Sequence, residues 1–311
     1  MSDTLSKTSH GEFDSVFREI QQPQQVSWMT KGQLRLFRLD LRNNKFNLEN
    51  LKALLFRNIG EYVFSRAKIE KFRINGDAHM VAAQALRIIN QNGSADVRGT
   101  GAELGEMLLY SFLEEKLEAP KLMSRVELST DAKQYDSTCD GIHLLTCGTS
   151  GLPYHQIVFG TSSIIGDLQY AIHEAFQRIV EIENSEDKEL HMVDNVIFDR
   201  LLNSDEVKLA KDILIPSPNN TASYNTSYGV FLGYSVGLDP NAYTLSEFQN
   251  LVEEKMQDDI SRNIAYILQC IKDNGLGMHS FYFYILPFND AEVEKKSVME
   301  SVMKGDVDLC P

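Results

Sequence analysis

The chain has 311 residues, 43% hydrophobic and 24% charged, enough for a sizeable core in one large domain or two modest ones. Its net charge of −14 is the wrong sign for a free-standing nucleic-acid binder, which gains most of its affinity by neutralising phosphates. No apolar run is long enough to span a membrane and residues 1–15 lack the apolar block of a signal peptide, so a cytoplasmic protein is expected. The four cysteines (Cys139, Cys147, Cys270, Cys310) have no CxxC spacing, which argues against a zinc site and a disulfide framework. The charge is uneven. Lys and Arg outnumber Asp and Glu eleven to four between Lys31 and Arg73, while acids outnumber bases ten to four between Glu181 and Asp212. Such blocks read either as solvated faces or as a basic front for phosphate and an acidic flank for a basic partner.

In chain order, residues 1–30 are polar and read as an unstructured or loosely docked arm around Gln21-Gln22-Pro23-Gln24-Gln25. Residues 31–95 hold a strand from Leu34 to Leu41, a helix capped by Asn47 that runs through Val63, and a second helix from Ala78 to about Ile89. A helix follows over residues 101–118. At about 100° per residue, with Glu106 at 0°, Leu113 falls near −20°, Leu117 near 20°, Tyr110 near 40° and Leu109 near −60°. Glu106 therefore lies within an apolar stripe, where a carboxylate needs a metal or an ion-pair partner such as Lys121 or Arg125.

Ala119-Pro120 ends that helix. Strands are then expected from Leu122 to Leu128, over Gly141–Leu145 and, after a turn at Cys147–Gly151, from Tyr154 to Phe159. A helix with Ile165, Leu168, Ile172, Ala175, Phe176 and Ile179 on one face follows from Ile164 to Glu183. Residues 96–185 thus read as a core of helix, three strands and helix, the α/β order of restriction-endonuclease-like folds. Residues 186–311 read as mainly helical (Asp187–Arg200, Ser204–Ile213, Ser246–Lys272). Two apolar strands, Tyr228–Tyr234 and His279–Phe288, extend the sheet, and Pro216–Asn220 forms an exposed loop.

With these pieces placed, the chain resembles the HamA family, the nuclease-like subunit of the Hachiman antiphage defence system. The matching residues occur in family order. They are Ala102-Glu103-Leu104-Gly105-Glu106 opening a leucine-rich helix, Ala119-Pro120-Lys121-Leu122, Asp140-Gly141-Ile142-His143, Phe159-Gly160 before a helix with Ala171-Ile172, and Phe281 through Phe288. The resemblance covers about residues 50–300. It implies a fold of the Asp–(Asp/Glu)-x-Lys nuclease superfamily, a HamB-like superfamily 2 helicase as partner, DNA as substrate and Mg²⁺ or Mn²⁺ as cofactor. Asp140 then falls in the metal position and Glu106 in the supporting helix position, with Glu103 as its alternative.

Family members often carry Gly-Glu-Ser-Lys at the third strand, whereas this chain has Gly160-Thr161-Ser162-Ser163. In such nucleases the Asp and Glu hold the metal and the Lys stabilises developing negative charge. Thr161 and Ser163, at the Glu and Lys positions, offer neutral hydroxyls instead. Lys121 or Arg125 are candidate replacements for the lost cation. A carboxylate supplied by the following helix would be Asp167 or Glu174. These two lie almost in line on the helical wheel and point away from its core face, so both read as solvated. Asp167 stays a supporting candidate because it starts the helix beside the strand end. His143 lies three residues beyond Asp140 on a strand, faces the opposite way, and reads as a core histidine. Two functions follow: a DNA nuclease with a remodelled site, or a pseudo-nuclease that binds and regulates the helicase. A general interaction protein is a weaker third.

Overall fold

Apolar alternation pairs seven segments into one mixed sheet in a computed structural model that describes residues 12–21, 29, 32–92, 101–127, 137–148, 154–196, 213 and 224–309. The strands are β1 (Phe17–Ile20), β2 (Leu34–Leu39), β5 (Lys121–Ser124), β6 (Gly141–Cys147), β7 (Tyr154–Ile164), β8 (Tyr224–Ser235) and β9 (Ser280–Phe288). A small hairpin of β3 (Leu41–Arg42) and β4 (Lys45–Phe46) stands apart. Across the sheet the order is β1-β2-β9-β8-β7-β6-β5. The central β2, β9, β8 and β7 run parallel, β6 adds antiparallel to β7, and β5 adds antiparallel to β6.

The helices are α1 (Phe13–Val16), α2 (Leu48–Val63), α3 (Arg66–Ile74), α4 (Val81–Asn92), α5 (Glu103–Glu115), α6 (Leu168–Val196), α7 (Leu245–Asp273) and α8 (Ala291–Lys304). Two of them cover opposite faces of the sheet. On α5, Phe112 packs against Phe231 and Tyr284, with ring centroids 5.6 and 5.1 Å away. On α6, Phe176 meets Phe281 and Phe283 at 6.0 and 6.3 Å. The alternation of β8 and β9 sorts these rings onto two sides, which gives three layers around a continuous core. No described helix is long and apolar enough to cross a membrane.

The helix, three strands and helix expected from the sequence are present as α5-β5-β6-β7-α6, with the three strands antiparallel, and both late apolar segments join the same sheet. Asn47 caps α2 through Glu49 N–H, as its position suggested. Several boundaries differ. The first core strand stops at Ser124, because Ser124 and Glu127 bond each other's backbone N–H (2.9 and 3.3 Å) and turn residues 125–127 helical. Strand β7 continues past Phe159 to Ile164, held by its parallel register with β8 out to Gly233. Helix α6 runs unbroken past Glu183 instead of restarting at Asp187; Ser185 donates its hydroxyl to Glu181 O and stays in the helix. Within the stretch expected as a loose arm, Phe13, Val16, Phe17 and Ile20 are buried and β1 forms the sheet edge. The stretch Ser204–Ile213, apart from Ile213, and the loop Pro216–Asn220 lie outside the described residues.

Candidate functional site

The N-terminal turn of α5 reaches the end of β7 because both surfaces carry glycine at the crossing. A Cβ on Gly105 would stand 2.7 Å from Ser162 Oγ, and one on Gly160 would stand 2.7 Å from Leu109. This approach brings Glu106, on the first turn of α5, towards Asp140, the residue before β6. Asp140 is fixed to β7 through its own N–H, which donates to Gly160 O at 2.8 Å.

Both carboxylates are buried, and cations hold them. Arg125, on the turn after β5, lies 3.1 Å from Glu106 Oε1 and 3.7 Å from Asp140 Oδ1. Arg178 reaches over from α6 and donates to Asp140 Oδ1 at 3.2 Å and to Ser162 O at 3.3 Å. Ser162 donates its hydroxyl to Asp140 Oδ2 at 2.6 Å, and Tyr62 at the end of α2 donates to Glu106 Oε2 at 2.8 Å. Burial and then the nearby Asp140 charge push the Glu106 carboxyl up to about 7, against the pull of Arg125 and Tyr62. Burial raises the Tyr62 phenol well above its ordinary value, and Glu106 adds to that. Burial alone would lower Arg125, but Glu106 and Asp140 more than reverse it and its pKa rises. Glu103, also buried at the start of α5, contributes a smaller repulsion on Glu106.

The structure therefore joins Glu106 and Asp140, sets Glu103 nearby and brings in Arg125, one of the two cations expected there, but it does not bring Thr161, Ser163, Lys121 or Asp167 to them. Ser162, and not Thr161 or Ser163, faces Asp140. Strand alternation turns those two to the other side, where Ser163 donates to Glu174 on α6 at 3.1 Å. Thr161 is fully buried, and its hydroxyl has no partner among the described residues. Lys121 points away from the site to the end of α2, donating to the carbonyls of Glu61, Tyr62 and Phe64 and pairing with Glu127 at 3.0 Å. Asp167 is exposed and accepts from Tyr170 N–H at 2.9 Å, which caps α6. His143 is a core residue as expected. Burial lowers it to about 4, and its Nδ1–H donates to Ala119 O at 2.7 Å.

The residues that sequence reasoning missed are Arg178, Ser162 and Tyr62. Arg178 follows Glu174 by one helical turn on a face that reads as solvated. Its long side chain leans towards the helix N-terminus and reaches the strand end.

The donor set does not fit a divalent metal. Among the described residues no group of three or more His, Cys, Asp and Glu is placed to hold one. Mg²⁺ needs near-octahedral oxygens at about 2.0–2.1 Å. Here the Asp140 oxygens already accept from Arg178 and Ser162, with Arg125 3.7 Å away, and those of Glu106 accept from Arg125 and Tyr62. A 2+ ion would sit directly beside two guanidinium charges.

No curated protein and no solved structure matches the chain. The family model described as HamA matches residues 14–302, nearly its whole length. The chain belongs to the HamA family, and at the level of that family it is a component of Hachiman antiphage defence.

Proposed function

We propose that the chain is the nuclease-like subunit of a Hachiman-type system, that it acts on DNA in the cytoplasm together with a superfamily 2 helicase, and that it engages or gates the DNA without cutting it. The α5-β5-β6-β7-α6 order, which brings Glu106 and Asp140 together, supports a restriction-endonuclease-like ancestry. The observation that carries the non-cutting reading is that guanidinium groups hold Asp140 where a metal would sit, with only neutral hydroxyls at Thr161, Ser162 and Ser163. Loss of a single electrostatic group typically costs about 10²–10³ in rate, and here both charges of the Glu-x-Lys pattern are gone.

The test uses the purified chain with its helicase, plasmid DNA, and Mg²⁺ or Mn²⁺. We expect no nicking above background, and phage protection that survives Asp140→Asn as long as the complex still forms. Metal-dependent cutting that Asp140→Asn abolishes would replace this reading with an active, remodelled nuclease.

A further inference from the structure

We infer that Arg178 is a resident cation that has taken the place of a divalent metal at Asp140, so the two exclude each other. This deepens the non-cutting reading above and rests on it. Three features carry it. Among the described residues, the polar contacts of Arg178 at the strand end are Asp140 and the carbonyl of the adjacent Ser162. Asp140 is completely enclosed, while the Arg178 side chain is 39% exposed, so the guanidinium closes the carboxylate off from solvent. The residues next to it on β7 are uncharged, so the two arginines supply the positive charge that buried Asp140 and Glu106 require.

A guanidinium stays charged at any working pH and, being tethered on α6, competes at a millimolar or higher effective concentration. Its Nη1 donates to Asp140 Oδ1 at 3.2 Å and lies 3.5 Å from Oδ2, so it satisfies carboxylate lone pairs that a departing metal would leave bare. Removing it opens Asp140 to solvent beside Glu106, with Arg125 alone left between the two carboxyl groups. Asp140 then offers hard oxygen donors on an open side, where water completes a cation's shell.

The experiment is a Mn²⁺ titration of the isolated full chain, followed by the paramagnetic resonance signal of free Mn²⁺. It uses wild type, Arg178→Ala, Arg178→Gln and Arg178→Ala with Asp140→Asn, each with its melting curve recorded. Arg178→Gln keeps part of the aliphatic stem and an N–H donor while removing the charge, so it serves if the alanine variant fails to fold. The expected result is one Mn²⁺ site in the Arg178 variants, at least about tenfold tighter than any in wild type, and lost when Asp140→Asn is added. Two results would overturn the inference: a wild-type site of similar affinity that Asp140→Asn removes, or folded Arg178 variants that gain none. Because neither DNA nor helicase is present, a failure here is separate from a failure of the proposed function, which the plasmid and phage assays read.

Discussion

Glu106 and His143 are both enclosed, and burial moves them in opposite directions, to about 7 and about 4. A carboxyl raised above its ordinary 4.5 keeps its proton in the folded state after the unfolded chain has lost it. Its contribution to stability is therefore present below pH 4.5 and lost as pH rises through 7. A histidine lowered below 6.5 does the reverse, and its contribution is lost as pH falls from 6.5 through 4. The two windows overlap, so wild type should show a flatter profile than a variant lacking either group. For Glu106→Gln, wild type should lose about 3 kcal/mol relative to the variant between pH 4.5 and 7, measured by urea unfolding at intervals across that range. Parallel curves for the two proteins would sink the assignment. At this scale the sequence was only partly legible. Glu106 stood out because a carboxylate in a leucine stripe demands a partner. Thr161 and Ser163 misled, because the direction a strand residue faces depends on a register that sequence does not reveal, and that register puts Ser162 on Asp140. Arg178 carried no signal, since its partner lies 38 residues earlier and on another element.

Lys121 shows how an element can depend on one buried charge. Its ammonium satisfies the carbonyls of Glu61, Tyr62 and Phe64 at the end of α2, where the helix dipole also favours a cation. Burial lowers its pKa, with Glu127 pulling the other way. Lys121→Met would leave those carbonyls and the Glu127 carboxylate without their cation. We expect a loss of about 3–5 kcal/mol in urea unfolding, partly recovered when Glu127→Gln is added. A loss below about 1 kcal/mol, or no recovery in the double variant, would show that Lys121 is not the cap. Such helix ends are local chemistry, and this is why α2, α5 and α7 could be read in advance, while α3 and α8 went unread. Asn47 announces α2, while the reciprocal pair of Thr244 and Glu247 that caps α7 was passed over. The same grammar was present at Ser124-Arg125-Val126-Glu127, where a capping box ends β5 early, but the apolar run around it masked the signal. Sheet order lay beyond reach for a different reason. Insertion of β9 between β2 and β8 pairs the last strand of the chain with one of the first, and no periodicity encodes which edge a strand will choose.

The charge of the whole molecule bears on how it could meet DNA. The basic stretch from Lys31 to Arg73 suggested a front for phosphate, yet the fold spends much of it internally. Arg35 pairs with Glu19, Arg38 with Glu253, Arg57 with Glu12, Lys52 with Glu49 and Arg73 with Glu70. Neutralised cations release few counterions, and a net charge of −14 repels the duplex over a Debye length of roughly 8–10 Å. The isolated chain should therefore show no binding to a short fluorescent duplex at about 10 µM protein and 150 mM salt by anisotropy, a concentration in the middle of the range for ordinary non-specific binders. Its complex with the helicase should bind, with a salt slope set by the partner's phosphate contacts. Charge reversal at Arg35 or Arg57 should leave that slope unchanged. Micromolar binding by the isolated chain, steep in salt and lost on those reversals, would instead mean that the internal pairs open to DNA and that the basic stretch is the docking front.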